Sequence, residues 1–432
     1  MNPVLHQRKK FSMTDTKKTW LPYKWELIAL LWFAFFFNQA DRQSYNVVLP
    51  LLTKDLGLSS VQTGLIGSIF LWCYALLVPL GGYLGDISRR KWVLFFSLLL
   101  ASGCTFLSGI AGGMASLILI RGFGNGGGEA CYFPSANSLI GQYHHKTRAL
   151  AMGIHQTALY FGLIFSGLIA GWMGERYGWR TPFFFFGTMA LILCFIILWR
   201  VKDVGQPSQD DDSKKVHKIP LKELFHGVLC KPTFWALCLS FSAFFFVICG
   251  FNTWISTFLY EKYELKLAKV GFSSMFYHQV AAATGVLLGG RISDLLAVRF
   301  PHIRIKVVIF GLFMAAPFVY LMGATSTLWV CYAALAGFGI FRGIFDSNIY
   351  ATLFDVIEPK YRGSATGLML TCIFFVGAFA PVILGWAKQT IGLTTAMSYL
   401  SIGFVIGGVV LLVAALTSFK NDFVNEESVA RE

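Results

Sequence analysis

The sequence predicts an all-α, polytopic membrane protein, with twelve transmembrane helices in two pseudo-symmetric six-helix bundles. Three observations carry this. The first is composition: 56% of the 432 residues are hydrophobic and only 13% are charged, against roughly a quarter charged in a soluble chain. Mean hydropathy is +0.61, and apolar runs of about 20 residues, enough to cross a bilayer, recur along the whole chain. The second is where the positive charge lies. The formal net charge is +14, but Lys and Arg concentrate in the tails, the central linker and the short loops of one side. That is the bias of cytoplasmic segments; it places both termini in the cytoplasm and makes the basic excess a topology signal, with no nucleic-acid partner expected. The third is duplication. GGYLGD at Gly81–Asp86 is echoed by GGRISD at Gly289–Asp294, R-x-x-A-x-G at Arg148–Gly153 by Arg362–Gly367, and GFG at 122 by GFG at 337. Short motifs repeated at a consistent offset point to two related halves.

The twelve spans are expected near 26–50, 61–85, 92–111, 114–141, 149–172, 182–200, 232–260, 268–295, 304–323, 326–354, 363–389 and 393–418. This divides the chain into a cytoplasmic tail (1–25), a first bundle (26–200), a cytoplasmic linker (201–231), a second bundle (232–418) and a second tail (419–432). No apolar core precedes Trp20, so no cleaved signal peptide is expected. The first span contains NQADRQSYNVVLP, whose Asn38, Asp41, Arg42 and Tyr45 fall on one helical face. Charged groups at membrane depth are costly and by default face a partner or a watery pathway. The alternative is that Asp41 and Arg42 neutralise each other and only tie helices together. The second span ends in GGYLGDISRRK. There Asp86, beside Arg90 and Lys91, is placed to latch two helix ends and release them when the protein changes state; gating, not substrate contact, is the role expected.

The fourth span reads IRGFGNGGGEACYFPSAN and carries Arg121, Asn125 and Glu129 at i, i+4 and i+8, within one stripe. Its glycines at 122, 124, 126, 127 and 128 admit a close neighbour, so this segment is expected to line the substrate path. His144 and His145 in the following turn read as solvated loop residues. Gln156 is a candidate in the fifth span, and Glu175, Arg176 and Arg180 belong to the next turn. Residues 201–231 break the apolar pattern with Pro, Asp and Lys, and Ile219–His226 is expected to form a short surface helix. In the second half the intramembrane polar groups are Asn252, His278, Gln279, Arg342, Asp346 and Asn348. Arg342 and Asp346, four apart, can pair on one helix, either as structure or as part of the site. His278 reads as a hydrogen-bonded packing residue, with a proton relay as the alternative. The nine cysteines form no C-x-x-C pair and no Cys/His metal spacing, so neither a metal nor a cofactor is expected.

These motifs resemble the major facilitator superfamily. Gly82, Asp86, Arg90 and Lys91 match its G-x-x-x-D loop signature with the basic cluster that follows. Ile87 stands where Arg is often found, and Arg89 where Gly is. Over its first half the chain is similar to the anion:cation symporter branch of hexuronate, galactonate and sialate carriers and phthalate permeases. The residues that carry this are Asp41–Arg42, the run SSVQTGLIGSIFLWCYAL and EACYFPSAN at Glu129–Asn137. Cys131 replaces the Pro of that branch's E-A-P-x-F-P. Arg121 also stands eight residues before Glu129, against seven in the branch, which a bulge among the glycines would absorb. The resemblance implies that Asp41 and Glu129 handle the coupling ion and that Arg42 and Arg121 bind the substrate anion. GYLGD and GEACY also resemble spinster-like lipid carriers, and RGFGNG organophosphate antiporters.

The function expected is secondary active transport: proton-coupled uptake of a small organic anion, an acidic sugar or other carboxylate, by alternating access. Arginine suits this because its planar fork grips a carboxylate bidentately. Substrate contacts are expected from Arg42, Arg121, Tyr45, Asn125, Gln156 and Asn252. Coupling is expected from Asp41 and Glu129, with Arg342, Asp346 and His278 as second-half candidates. Sodium is the alternative coupling ion. Alternative cargoes are a sugar phosphate, a lipid or an exported compound; Asp41 and Glu129 argue against paired phosphate sites. A non-transporting sensor would need a partner-binding extension that the short tails do not supply. No nucleophile–base set appears and no P-loop lysine follows the glycines, so no enzyme is expected. The expected setting is a monomer in a lipid bilayer, a bacterial inner membrane.

Overall fold

The structure is a computed structural model that describes residues 22–144, 147–202, 225–300 and 302–424; the side chains of 85–87, 149, 225 and 226 are not among those described. Every regular element in this set is helical. Ten helices are long and apolar enough to cross a membrane: Ser60–Leu84, Arg90–Ser108, Leu150–Tyr177, Thr181–Arg200, Pro232–Tyr263, Leu267–Ala297, Ile303–Ala324, Leu328–Val356, Pro359–Thr390 and Leu393–Thr417. Two further spans complete the twelve. They are the two that carry the first half's buried charges: Tyr23–Asp55, with Asp41 and Arg42, and 114–143, with Arg121 and Glu129.

Local chemistry sets the helix ends. Ser59 accepts from Gln62 N at 3.2 Å and donates its own N–H to Gln62 Oε1 at 2.8 Å, a reciprocal cap that starts the second span. Proline opens the seventh span at Pro232, where a missing N–H costs no helical bond. Gly178 (φ 91°) and Gly392 (φ 83°) turn the chain between spans in a region that disfavours a Cβ.

In lipid, helices associate through close packing and small residues, since burying apolar surface against other apolar surface gains little. That rule is visible where the two halves meet. A Cβ on Gly271 of the eighth span would run into the carbonyl oxygen of Gly167 in the fifth, and one on Gly171 into the carbonyl of Leu267. Glu175 accepts from Leu267 N at 3.1 Å, and Ser68 Oγ accepts from Val382 N at 3.2 Å. These contacts lie toward the end of the bundle remote from Pro22 and Val424, so the halves are sealed together on that far side.

The side that bears the chain ends is tied within each half. Arg304 reaches Asp355 at 2.9 Å and Asp294 at 3.4 Å, joining the eighth, ninth and tenth spans at the repeated GGRISD motif. The first-half counterpart of Asp294, Asp86, has its side chain outside the described residues. His144, expected to be solvated, is 1% exposed. Its ring nitrogens meet Lys24 O and Thr147 Oγ1 at 2.9 Å each, so the turn folds back under the start of the first span and the histidine becomes a clamp. His145 lies outside the described residues, as does most of the short helix expected at 219–226; Phe225–Leu229 forms a single π turn.

Candidate functional site

A cavity of about 460 Å³ lies between the halves. Its wall comes from the first, second, fourth and fifth spans and, in the same pattern, from the seventh, eighth, tenth and eleventh. Arg42, Tyr45, Arg121, Glu129 and Gln156 line it from the first half, Asn252 and Arg342 from the second. Asp41, Asn125, His278 and Asp346 do not; they stand behind or beside residues that do. Arg90 and Lys91 open the third span, and they too are outside the cavity wall.

Asp41 and Arg42, though neighbours in sequence, do not pair with each other. Asp41 takes a bidentate ion pair from Arg121, Nη1–Oδ1 and Nη2–Oδ2 both 2.9 Å, and a further bond from Asn125 Nδ2 at 2.7 Å. The rings of Tyr45 and Phe183 cover the Arg121 guanidinium at 4.6 and 5.2 Å. Arg121 is 4% exposed and Asp41 3%. This pair is closed on nearly every side. Arg42 turns instead to Glu129, Nε–Oε2 2.6 Å, and lies over the faces of Phe70 and Tyr74 at 4.8 and 4.9 Å. Glu129 is 3% exposed but Arg42 is 27%. The pair uses Nε, not the terminal Nη groups, on an arginine that reaches the cavity.

The fourth span places these partners by a break in its winding. Ile118–Asn125 is π-helical, between the α-helical Met114–Leu117 and Gly126–Tyr143. In an unbroken α-helix, residues eight apart differ by about 80° around the axis, and residues seven apart by about 20°. A π turn absorbs one extra residue, so Arg121 and Glu129 recover the alignment of a seven-residue spacing. Both then face the first span. Glycine lets the same segment sit close on the third and second spans: a Cβ on Gly128 would come within 2.7 Å of Ala101 N, and one on Gly126 within 2.9 Å of Phe70 O.

In the second half Arg342 Nε approaches Asp346 Oδ2 at 3.3 Å, so the pair expected from the i, i+4 spacing forms. Arg342 Nη1 also lies 3.2 Å from His278 Nε2. His278 is fully buried and stacked on Phe338, centroids 4.6 Å apart. Its surroundings are those of a packing residue that steadies Arg342.

Sequence reasoning passed over several cavity residues: Gln39, Gln43, Asn46, Thr253 and Tyr74 line the wall. The first three flank the Asp41–Arg42 pair in a run of almost unbroken polarity, where periodicity alone does not pick a face. Also unforeseen is Tyr132, which donates to Leu31 O at 2.6 Å and so must accept from His155 Nε2 at 3.0 Å.

Residues 31–381 match the model of the Major Facilitator Superfamily. The chain belongs to that superfamily. It is 27% identical to "Probable anion transporter 4, chloroplastic" of Oryza sativa subsp. japonica, over 90% of this chain and 68% of that protein. It is 26% identical to "Probable galactarate/D-glucarate transporter GudP" of Escherichia coli (strain K12), over 85% and 87%. These relatives are transporters, not enzymes, and they agree with the anion:cation symporter motifs of the first half. A solved bacterial homologue of the human lysosomal transporter Spinster, inward-facing and unoccupied, superposes with a TM-score of 0.82 at 21% identity, over 93% of this chain and 99% of that one. At that identity the likeness speaks for the fold alone.

Proposed function

We propose that this major facilitator protein is a secondary transporter that carries a small organic anion across the membrane together with protons, with both termini in the cytoplasm. The observation that supports this best is the Arg42–Glu129 pair on the cavity wall. A carboxylate so deeply buried must pair, bind a cation or take a proton. If Glu129 protonates, Arg42 loses its partner and is left with a charge for an incoming carboxylate. Proton and anion then bind as a pair. Asp41, held by Arg121 and Asn125, supports this from behind and is the second candidate for the proton. With the termini inside, the sealed far side corresponds to a cavity closed to the exterior. Relatives named as anion and galactarate/D-glucarate transporters favour an acid as cargo.

The test is Glu129→Gln, which mimics the protonated acid permanently. In proteoliposomes, with a panel of acidic sugars, the variant retains substrate binding and counterflow exchange. It loses accumulation driven by an inward proton gradient. Accumulation equal to the parent's would move the coupling site to Asp41, or the coupling ion to sodium. No uptake of any acid by the parent protein would sink the reading itself.

A further inference from the structure

Resting on that reading, we infer that Arg342 is a second anion subsite and that the substrate is a dianion carrying hydroxyl groups, gripped at one end by Arg42 and at the other by Arg342. The two arginines belong to opposite halves and line the same cavity. Arg342 is poorly compensated for so buried a charge. Its side chain is 16% exposed, and its pair with Asp346 runs through Nε at 3.3 Å, outside hydrogen-bond geometry. Asp346 is not part of the cavity wall. His278, packed on Phe338, holds the guanidinium from behind. A planar, oriented, under-satisfied guanidinium facing a cavity is a site for a second acid group.

The rest of the cavity wall adds a further demand. Gln43, Asn252 and Gln279 line the cavity, and the side-chain oxygens of all three are buried without a donor among the described residues. Gln43 lacks a partner at both amide atoms. A buried acceptor left unpaired is costly, and a hydroxyl on the cargo is the donor that would answer it. The arrangement also explains how cargo would drive the conformational change. A ligand held by one half alone contributes no free-energy difference between open and closed arrangements. A ligand with an acid group on each half draws the two together.

Three straight-chain acids of equal carbon number separate the claims: galactarate (two acids, hydroxyls), galactonate (one acid, hydroxyls) and adipate (two acids, no hydroxyls). Binding to the purified full-length protein is measured calorimetrically. Galactarate should bind about tenfold or more tighter than either of the others, the scale of one charge-assisted hydrogen bond. Arg342→Gln should collapse the preference for galactarate over galactonate to within about twofold on the same scale. Galactonate binding the parent as tightly as galactarate overturns the second subsite and leaves organic-anion transport standing; this comparison needs no variant to fold. Adipate equal to galactarate overturns the hydroxyl assignment. Failure of all three acids to bind overturns this inference, while organic-anion transport is decided by the uptake panel.

Discussion

Arg42 and Arg121 are the same residue type on the same cavity wall, yet their surroundings differ. Arg121 spends both ends of its fork on Asp41 and is capped by two rings. Arg42 is tied to Glu129 through Nε and reaches the cavity. Substitution should therefore separate them. Arg121→Ala strands Asp41 as an uncompensated buried charge, a loss of about 3–5 kcal/mol that denaturation in detergent would register. Arg42→Lys keeps a cation beside Glu129, so stability stays near the parent's. Uptake should collapse, because a point charge lacks the planar fork that holds a carboxylate. Should Arg121→Ala denature like the parent but fail to bind substrate, Arg121 is the anchor and the division of roles is wrong.

At the level of elements, the decisive features are a π turn and a set of glycines. The turn at Ile118–Asn125 converts an eight-residue spacing into one that points Arg121 and Glu129 at the same neighbour. The turn goes with two arginine–carboxylate pairs, Arg121–Asp41 and Glu129–Arg42, each made across to the first span. The glycines act between halves. Gly271 touches the Gly167 backbone, so Gly271→Leu should block closure at the far side. Overpacking costs about 1–3 kcal/mol, enough to lower the population of this sealed state about tenfold. Uptake in proteoliposomes should fall accordingly while the solubilised protein remains monodisperse. Parent-like transport by Gly271→Leu would mean that the two helices separate little during the cycle.

For the whole molecule, the proposed alternating-access cycle needs the chain-end side to close when the far side opens. The second half shows one device, Arg304 bridging Asp355 and Asp294. Asp294 belongs to GGRISD, the repeat of the motif that contains Asp86. By that correspondence Asp86, with Arg90 and Lys91, is proposed to latch the first half. Asp86→Asn should slow turnover and leave substrate affinity near the parent value, read by comparing initial uptake rates with equilibrium binding in detergent. A large loss of affinity with turnover intact would remove the latch assignment.

Class, span number, duplication and the identity of the charged residues were all legible in the sequence, because each follows from composition and local spacing. A bilayer demands long apolar helices, and a charge inside one stands out against that background. The Arg342–Asp346 pair was legible for the same reason: i, i+4 geometry is local. Partner choice was not. Nothing in the order Asp41–Arg42 says that one side chain turns to Arg121 and the next to Glu129, since adjacent helical residues point about 100° apart and the neighbour each meets depends on how helices pack. His144 shows the same limit from the other side: polar, in a loop, and yet buried against Lys24 O. Which polar residues face the cavity, which stand behind it, and that Arg42 and Arg342 share it were decided only when the two halves came together. Those relations join residues far apart in the chain, and no local pattern records them.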